Sequence, residues 1–507
     1  MGQTNVRDFL YRLFHGAFGV LLAVLLGLGV AAWQYHGIAA LAAAAVLGAV
    51  LLAGLWLIGP PLNALTARRF GLLFGGLAAL YLVLLLVLGN AMAEVLISDM
   101  GVVYDTLPEF LQYGHPVQNN DYYIICNNNL GLALVLYAFY ALAGRFGIVP
   151  DQGAGITAGV CFNALCIWAA VLLLTHAARL LTGKRSAQLL LLVCAGLFAP
   201  LYLWTPYFYS DTLSMPFLAG AIVLYLHWRQ RPSPATALGL GAAVFGGYAV
   251  KGSLVVLLVA ALITLLLAPP PGATRSQLAA GAGAILLGFG VLWGGYQAFQ
   301  ARYLDWSDKE EVCFPTELWL CYGSHGTGDY ADEDAQDCLL QPSLADRQAL
   351  MRQRIAQNYT ARTPLGNLDF MLQKAVRTWT DGEYGAPEYL ATPLRSTFMG
   401  RFVLYGQPGF MPLLYYCQAW QYLLLFLCAA NCLLALRGGV RGPGAAGFMP
   451  RLALFGAMLF FSFWETKSRY ALHFAPVLLL CAVLALVTLA DRLPGRRKAA
   501  EKEAATV

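Results

Sequence analysis

Ser98-Asp99-Met100-Gly101-Val102-Val103-Tyr104-Asp105 follows an apolar run that ends near residue 90, and it sets two carboxylates where a hydrophobic span should reach water. A carboxylate beside bilayer hydrocarbon is costly unless it is paired, hydrated or used, so an acid-bearing loop at a span end is a candidate site. The same residues also read as a solvated loop that merely ends a helix. The choice between these readings depends on what the rest of the chain brings to the same face.

Of the 507 residues, 59% are hydrophobic and only 12% are charged, against ~25% charged in an average soluble protein. The composition implies an all-α polytopic membrane protein. A span needs ~20 apolar residues. Runs of that kind lie near 15–34, 37–59, 70–90, 155–178, 187–204, 212–228, 236–250, 253–268, 278–297, 412–436, 452–466 and 470–490, so about twelve transmembrane helices are expected. The first run follows the basic stretch 7–12 and is not followed by a clear small-residue cleavage site, so it reads as a retained span.

The net charge of +5 is no nucleic-acid footprint, because the basic residues sit in short loops between spans. They report orientation instead. Arg68 and Arg69, Arg179 with Lys184 and Arg185, Arg229 and Arg231, Arg275, Arg437 with Arg441, and the tail Arg496-Arg497-Lys498 all fall on the cytoplasmic side by the positive-inside rule, as do both termini. If 129–143 also crossed, every later basic loop would lie on the wrong side. That segment is therefore assigned to a helix on, or dipping into, the outer face, and its turn-rich flanks agree. An ordinary span that violates the rule is the other reading.

Seven of the eleven cysteines, Cys161, Cys166, Cys194, Cys417, Cys428, Cys432 and Cys481, lie in or beside spans as small apolar fillers. Cys313, Cys321 and Cys338 lie outside and could include one disulfide. The histidines show no zinc-ligand spacing, and no glycine-rich loop ends in Lys-Ser/Thr, which argues against ATP hydrolysis.

The chain divides into an N-terminal two-span addition (1–69), a catalytic transmembrane module (70–297) with an acidic outer loop (91–154), an extracytoplasmic segment (298–411), C-terminal transmembrane helices (412–490) and a basic cytoplasmic tail (491–507). The segment 298–411 should form short helices over the outer mouth. No fixed-period repeat is present.

Three further outer turns are short, aromatic and charged: Trp204-Thr205-Pro206-Tyr207-Phe208-Tyr209-Ser210-Asp211, Tyr248-Ala249-Val250-Lys251-Gly252, and Trp464-Glu465-Thr466-Lys467-Ser468-Arg469-Tyr470. Together with the first loop they would gather Asp99, Asp105, Asp211, Lys251, Arg469 and Tyr470. A lysine at a hairpin top is poorly solvated and should meet an anion, either a neighbouring carboxylate or the phosphate of a lipid headgroup. An aspartate facing such a phosphate could take the proton of an attacking hydroxyl, while the cations stabilise the departing phosphate.

The order of span, Asp-bearing outer loop, surface helix, span, basic loop, span and Tyr-Ser-Asp turn resembles the GT-C superfamily of polytopic glycosyltransferases, which includes the protein O-mannosyltransferases and the aminoarabinose transferases of lipid A. Asp99 with Tyr104 resembles that superfamily's catalytic aspartate and following tyrosine, and Tyr209-Ser210-Asp211 its second acidic turn. Val250-Lys251-Gly252 resembles its hairpin lysine, and Arg469-Tyr470 with Pro476 its pair before the final span. Within the superfamily the nearest likeness is to uncharacterised bacterial membrane glycosyltransferases, mostly of Gram-positive organisms. Ile125-Cys126-Asn127-Asn128-Asn129, Gly328-Asp329-Tyr330 with Asp332 and Asp334, and the stretch from Lys374 through Trp379, Asp381 and Gly382 carry that likeness. Three spans rather than one precede the acidic loop, Met100 stands where the aminoarabinose transferases tend to have Glu, and Cys126 stands where the bacterial group tends to have Pro.

The resemblance implies a GT-C-like bundle in a bacterial plasma membrane that moves a sugar from a polyprenyl-phosphate donor to an acceptor hydroxyl on a glycan, lipid or protein at the outer face. Asp99 or Asp105 would be the catalytic base, with Asp99 nearer the span end. Lys251, Arg469 and Tyr470 would bind the lipid phosphate, Asp211 would orient the acceptor or a cation, and Tyr104, Asn127 and Asn128 would line the substrate site. The asparagines also read as a polar cap on the next helix, and 379–382 as a simple turn. No cofactor is required. A divalent metal between Asp99 and Asp211 is conceivable but not needed, and no metal ligand is assigned. A polytopic transporter or lipid-linked glycan flippase is the alternative, but transporters place substrate sites at midplane on broken helices, whereas these charges gather at span ends.

Overall fold

The computed structural model describes residues 2–494, so Arg496, Arg497 and Lys498 of the basic tail lie outside the described residues. Backbone in hydrocarbon must satisfy its own hydrogen bonds, and long apolar stretches do so as helices. The chain opens with α1 (Gly2–Ala32), α2 (Gln34–Ala64) and α3 (Ala67–Ala91). The loop region holds α4 (Ser98–Asp105) and α5 (Leu130–Ala143). Next come α6 (Ala154–Thr182), α7 (Arg185–Leu197), α8 (Met215–Gln230), α9 (Pro234–Val250), α10 (Val256–Leu267) and α11 (Arg275–Tyr303). The segment that follows carries α12 (Thr316–Tyr322), α13 (Asp332–Leu339), α14 (Leu344–Thr360) and α15 (Pro364–Trp379). Finally α16 (Phe410–Gly438), α17 (Phe448–Phe463) and α18 (Ala475–Arg492) return to the bundle. The only strand-like pairing among the described residues is one isolated bridge between Glu94 and Pro393.

Nine helical stretches among the described residues are long and apolar enough to cross a membrane, and Arg185–Leu197, Pro234–Val250 and Gly252–Leu267 are shorter apolar helices. Two differences from the sequence reading stand out. The expected span 187–204 is broken at Phe198, whose extended backbone ends α7, and a single turn restarts at Ala199 with Pro200 in its first positions. Asn127–Phe146, which charge parity assigns to the surface, is among the nine long stretches. Its packing keeps it at one end of the bundle. Gly131 lies so close to the Ala249 carbonyl at the end of α9 that a Cβ there would come within 1.9 Å of the oxygen. Near the other end of α5 the Tyr140 hydroxyl donates to the Gly155 carbonyl at the start of α6, at 2.7 Å.

Charge sorts the two ends of the bundle. At one end Lys184 meets Asp491 at 2.5 Å, Arg229 donates to the Ala268 carbonyl at 2.5 Å, and Arg12 donates to the Leu436 carbonyl at 2.9 Å. The opposite end carries the acidic loop and the 298–411 segment. Helix α18 is buried along almost its whole length and packs on α2, α6, α7 and α16, and α1 packs on α16. The N-terminal pair thus joins the same core. Buried Arg451 fastens it there, donating to His15 Nε2 at 2.9 Å and Asn431 Oδ1 at 2.8 Å.

Candidate functional site

Asp99 is the second residue of α4, and Ser98 before it has φ of 56°. For a side chain larger than glycine that region costs roughly 1–2 kcal/mol. The Tyr207 hydroxyl holds the turn by donating to the Ile97 carbonyl at 2.7 Å. The Asp99 carboxylate then faces two phenols. Tyr122 donates to Oδ1 at 3.1 Å, and the Tyr209 hydroxyl lies 3.2 Å from Oδ2. Asn129 closes the ring: its Nδ2 donates to the Tyr122 oxygen at 2.7 Å, and its Oδ1 lies 3.0 Å from the Tyr209 hydroxyl. A phenol has one proton, so Tyr209 serves either Asp99 or Asn129 at any moment.

Tyr209 is also the bridge to the second half of the cluster. All of 204–211 is buried rather than forming the surface turn that the sequence suggests, because the 298–411 segment covers it: Trp204 Nε1 donates to the Glu383 carbonyl at 3.3 Å, and the Tyr389 ring packs 4.9 Å from Tyr207. Asp211, fully buried, accepts from Lys251 Nζ at 2.6 Å through Oδ1, while its Oδ2 has no partner among the described residues. Lys251 sits where α9 ends in extended backbone, which points its ammonium across to this turn and 4.6 Å from the Tyr470 ring centroid.

Arg469 is the most unusual member. It is 7% exposed, and its guanidinium carbon lies 5.3 Å from the Tyr209 ring, 5.0 Å from Tyr389 and 5.3 Å from Tyr470. Among the described residues nothing accepts a hydrogen bond from it, and its Nε is fully buried without a partner. Aromatic faces hold a cation by their quadrupole but leave its N–H groups open. A buried guanidinium so held is fitted to receive an anion with several acceptor oxygens. Beside it Glu465, whose carboxyl burial pushes above its usual range, accepts from the Tyr470 hydroxyl at 2.9 Å.

The structure therefore gathers Asp99, Asp211, Lys251, Arg469 and Tyr470 around Tyr209. Four expected residues fall elsewhere. Asp105 is exposed at the far end of α4, where six residues of helix turn it about 240° from Asp99. Tyr104 is a packing residue, buried against Tyr140 and Phe208, with its hydroxyl donating to the Asp151 carbonyl at 2.7 Å. Asn127 bonds the Tyr123 carbonyl and Gln300, and exposed Asn128 reaches only Asn129. Asn129, the third of the run, is the one in the network, and it makes no side-chain cap on α5. Tyr122, Tyr209 and Tyr389 are not among the site residues expected from the sequence, whereas Asn129 belongs to the asparagine run that is. Tyr209 adjoins the quoted Asp211, but nothing in the local sequence marks Tyr389. At 379–382 the turn reading holds, since Asp381 accepts from the backbone N–H groups of Glu383 and Gly385. All eleven cysteines are free, so the structure forms no disulfide among Cys313, Cys321 and Cys338.

No curated protein matches the chain. Among solved structures it is similar to the archaeal oligosaccharyltransferase AglB of Archaeoglobus fulgidus, in complex with an inhibitory peptide and a dolichol-phosphate, at 13% identity and a TM-score of 0.42 over 84% of this chain. The chain spans about half of AglB, 52% of its length. It is also similar to ArnT of Cupriavidus metallidurans bound to undecaprenyl phosphate, at 15% identity and a TM-score of 0.32, covering 81% of this chain and 78% of that one. A family model described as a conserved hypothetical integral membrane protein matches residues 72–489, and the chain belongs to that family of integral membrane proteins.

Proposed function

We propose that the chain is a membrane glycosyltransferase that moves a sugar from a polyprenyl-phosphate donor to an acceptor hydroxyl at the extracytoplasmic end of the bundle. The observation that carries this reading is the Arg469 guanidinium, buried among tyrosine faces without a hydrogen-bond acceptor among the described residues, beside Lys251 and within one tyrosine of Asp99. In the proposed step the acceptor oxygen attacks the anomeric carbon and its proton passes to Asp99. The bond from that carbon to the phosphate oxygen breaks, and the electron pair leaves with the polyprenyl phosphate. Lys251 and Arg469 neutralise the departing phosphate, which is where catalytic electrostatics act most strongly. Asp211 holds Lys251 in place, and Tyr122 and Tyr209 orient the Asp99 carboxylate. A site built from loop and span-end residues also suits a lipid-borne donor better than a midplane transport path.

The test incubates purified protein with a panel of polyprenyl-phosphate sugars and follows release of polyprenyl phosphate. Asp99→Asn, isosteric but unable to take a proton, should lower kcat by about 10²–10⁴-fold. Arg469→Met should chiefly weaken donor use. Turnover in Asp99→Asn equal to that of the unmodified protein would remove Asp99 as the base.

A further inference from the structure

The 298–411 segment has a small core of its own, in which Leu318, Cys321, Tyr322, Ala335, Cys338 and Met351 are buried where α12, α13 and α14 meet. At its edge three groups that the proposed transfer does not use converge. Cys321 Sγ lies 3.8 Å and His325 Nε2 2.5 Å from the same oxygen, Asp334 Oδ2, and all three ligand atoms lie within 4.8 Å of one another. Cys321 and Asp334 are buried.

We propose that Cys321, His325 and Asp334 form a zinc site, with water as the fourth ligand. A thiol with an imidazole and a carboxylate is a donor set for a borderline-soft ion, and it is a poor one for magnesium or calcium. Zinc bonds of about 2.0–2.3 Å in a tetrahedron place ligand atoms roughly 3.3–3.8 Å apart. The sulfur–oxygen separation already fits, and the histidine must swing about 1 Å outward, which its half-buried position at the edge of the core permits. Arg354 supplies the outer support that metal-bound carboxylates need: its Nη1 donates to the other Asp334 oxygen at 2.5 Å, and its second nitrogen binds Asp337. On binding, the Cys321 S–H proton passes to water and the Sγ–Zn bond forms, with no change of oxidation state.

The clip matters because of what its loop holds. From Trp319, two residues before Cys321, to Asp329 inside the loop, the chain is stitched to the strip that carries Arg469. The Trp319 carbonyl accepts from the Glu465 N–H at 2.9 Å, the Gly328 carbonyl from the Thr466 N–H at 2.7 Å, and Asp329 lies 3.4 Å from Lys467. A bound zinc would fix the wall against which the guanidinium is set.

The experiment uses full-length protein in detergent, stripped with a chelator, reloaded with Zn²⁺ or Co²⁺ and freed of excess metal. The expected result is about one zinc per chain and a cobalt-thiolate charge-transfer band in the near ultraviolet. Cys321→Ser and His325→Ala should each lose the band, while Cys338→Ser keeps it and Arg354→Met binds roughly 10–100-fold more weakly. Each variant is checked for a monodisperse elution profile. Metal that is not retained by the unmodified protein, a band that survives both Cys321→Ser and His325→Ala, or a Cys321–Cys338 disulfide in a non-reduced peptide map would each overturn the proposal. Because the readout is metal content and spectrum, it succeeds or fails independently of any sugar transfer.

Discussion

Lys251 and Asp211 show how little a single residue reveals by itself. The sequence places a lysine at a hairpin top and leaves open whether a carboxylate or a lipid phosphate meets it; the structure supplies the carboxylate at 2.6 Å and a guanidinium held over tyrosine faces close by. Removing one member of a buried pair strands the other, which costs about 3–5 kcal/mol, whereas replacing both with apolar groups is often neutral. Lys251→Met should therefore lower the apparent Tm in detergent clearly more than Lys251→Met with Asp211→Leu, measured by thermal shift. Equal losses would mean the pair is not thermodynamically coupled. Glu383 gives a second test. Burial, then repulsion from Asp381, raises its pKa from 4.5 to about 7. The folded chain then keeps the proton that the unfolded chain releases, so this residue's contribution to stability is full below about pH 4.5, declines as pH rises through the window, and is gone above about 7. Glu383→Gln should raise the apparent Tm at pH 8, by an amount equivalent to roughly 1–3 kcal/mol, and change little at pH 4.5.

At the scale of elements, charge parity sets α5 apart from the crossing helices, whereas its flanked length and hydropathy place it among the stretches able to cross. Parity sums over the whole chain, so one segment that fails it is conspicuous. The break at Phe198 is less visible: Pro200 is legible, yet the buried Phe198 ring before it packs against Tyr384 and Trp420, which lie far away in the chain. The contact of α5 with α9 is similarly cryptic, because Gly131 looks like any glycine in an apolar run. Gly131→Val would drive a branched side chain into the Ala249 carbonyl. Overpacking of this kind typically costs about 1–3 kcal/mol. The variant should melt lower, and it should also lose the proposed transfer activity beyond the stability loss, since Asn129 lies two residues upstream and would be displaced from Tyr122 and Tyr209. Activity that tracks folded fraction alone would argue against that coupling.

For the whole molecule, α1 and α2 precede the region that the family model matches, yet they are fastened into the bundle: the Gly29 carbonyl accepts from the Tyr422 hydroxyl at 2.9 Å, and His15 accepts from buried Arg451. His15→Leu leaves one donor of a buried guanidinium unmet, a loss of about 1–3 kcal/mol, and removal of residues 1–66 takes away the Tyr422 contact as well. The truncated chain should show the lower apparent Tm of the two, and a truncation as stable as the full chain would make the pair a mere appendage. The sequence by itself determined that this chain is a helical membrane protein, which loops share an end, and that acids and cations gather at span ends, because hydropathy and charge are summed over many residues and survive local detail. Only the tertiary structure decided that Tyr209 links Asp99 to Arg469, that Asn129 rather than Asn127 or Asn128 joins them, and that the 204–211 strip is buried. Those choices depend on contacts between segments far apart in the chain, where a rotation of one helix position exchanges one side chain for another.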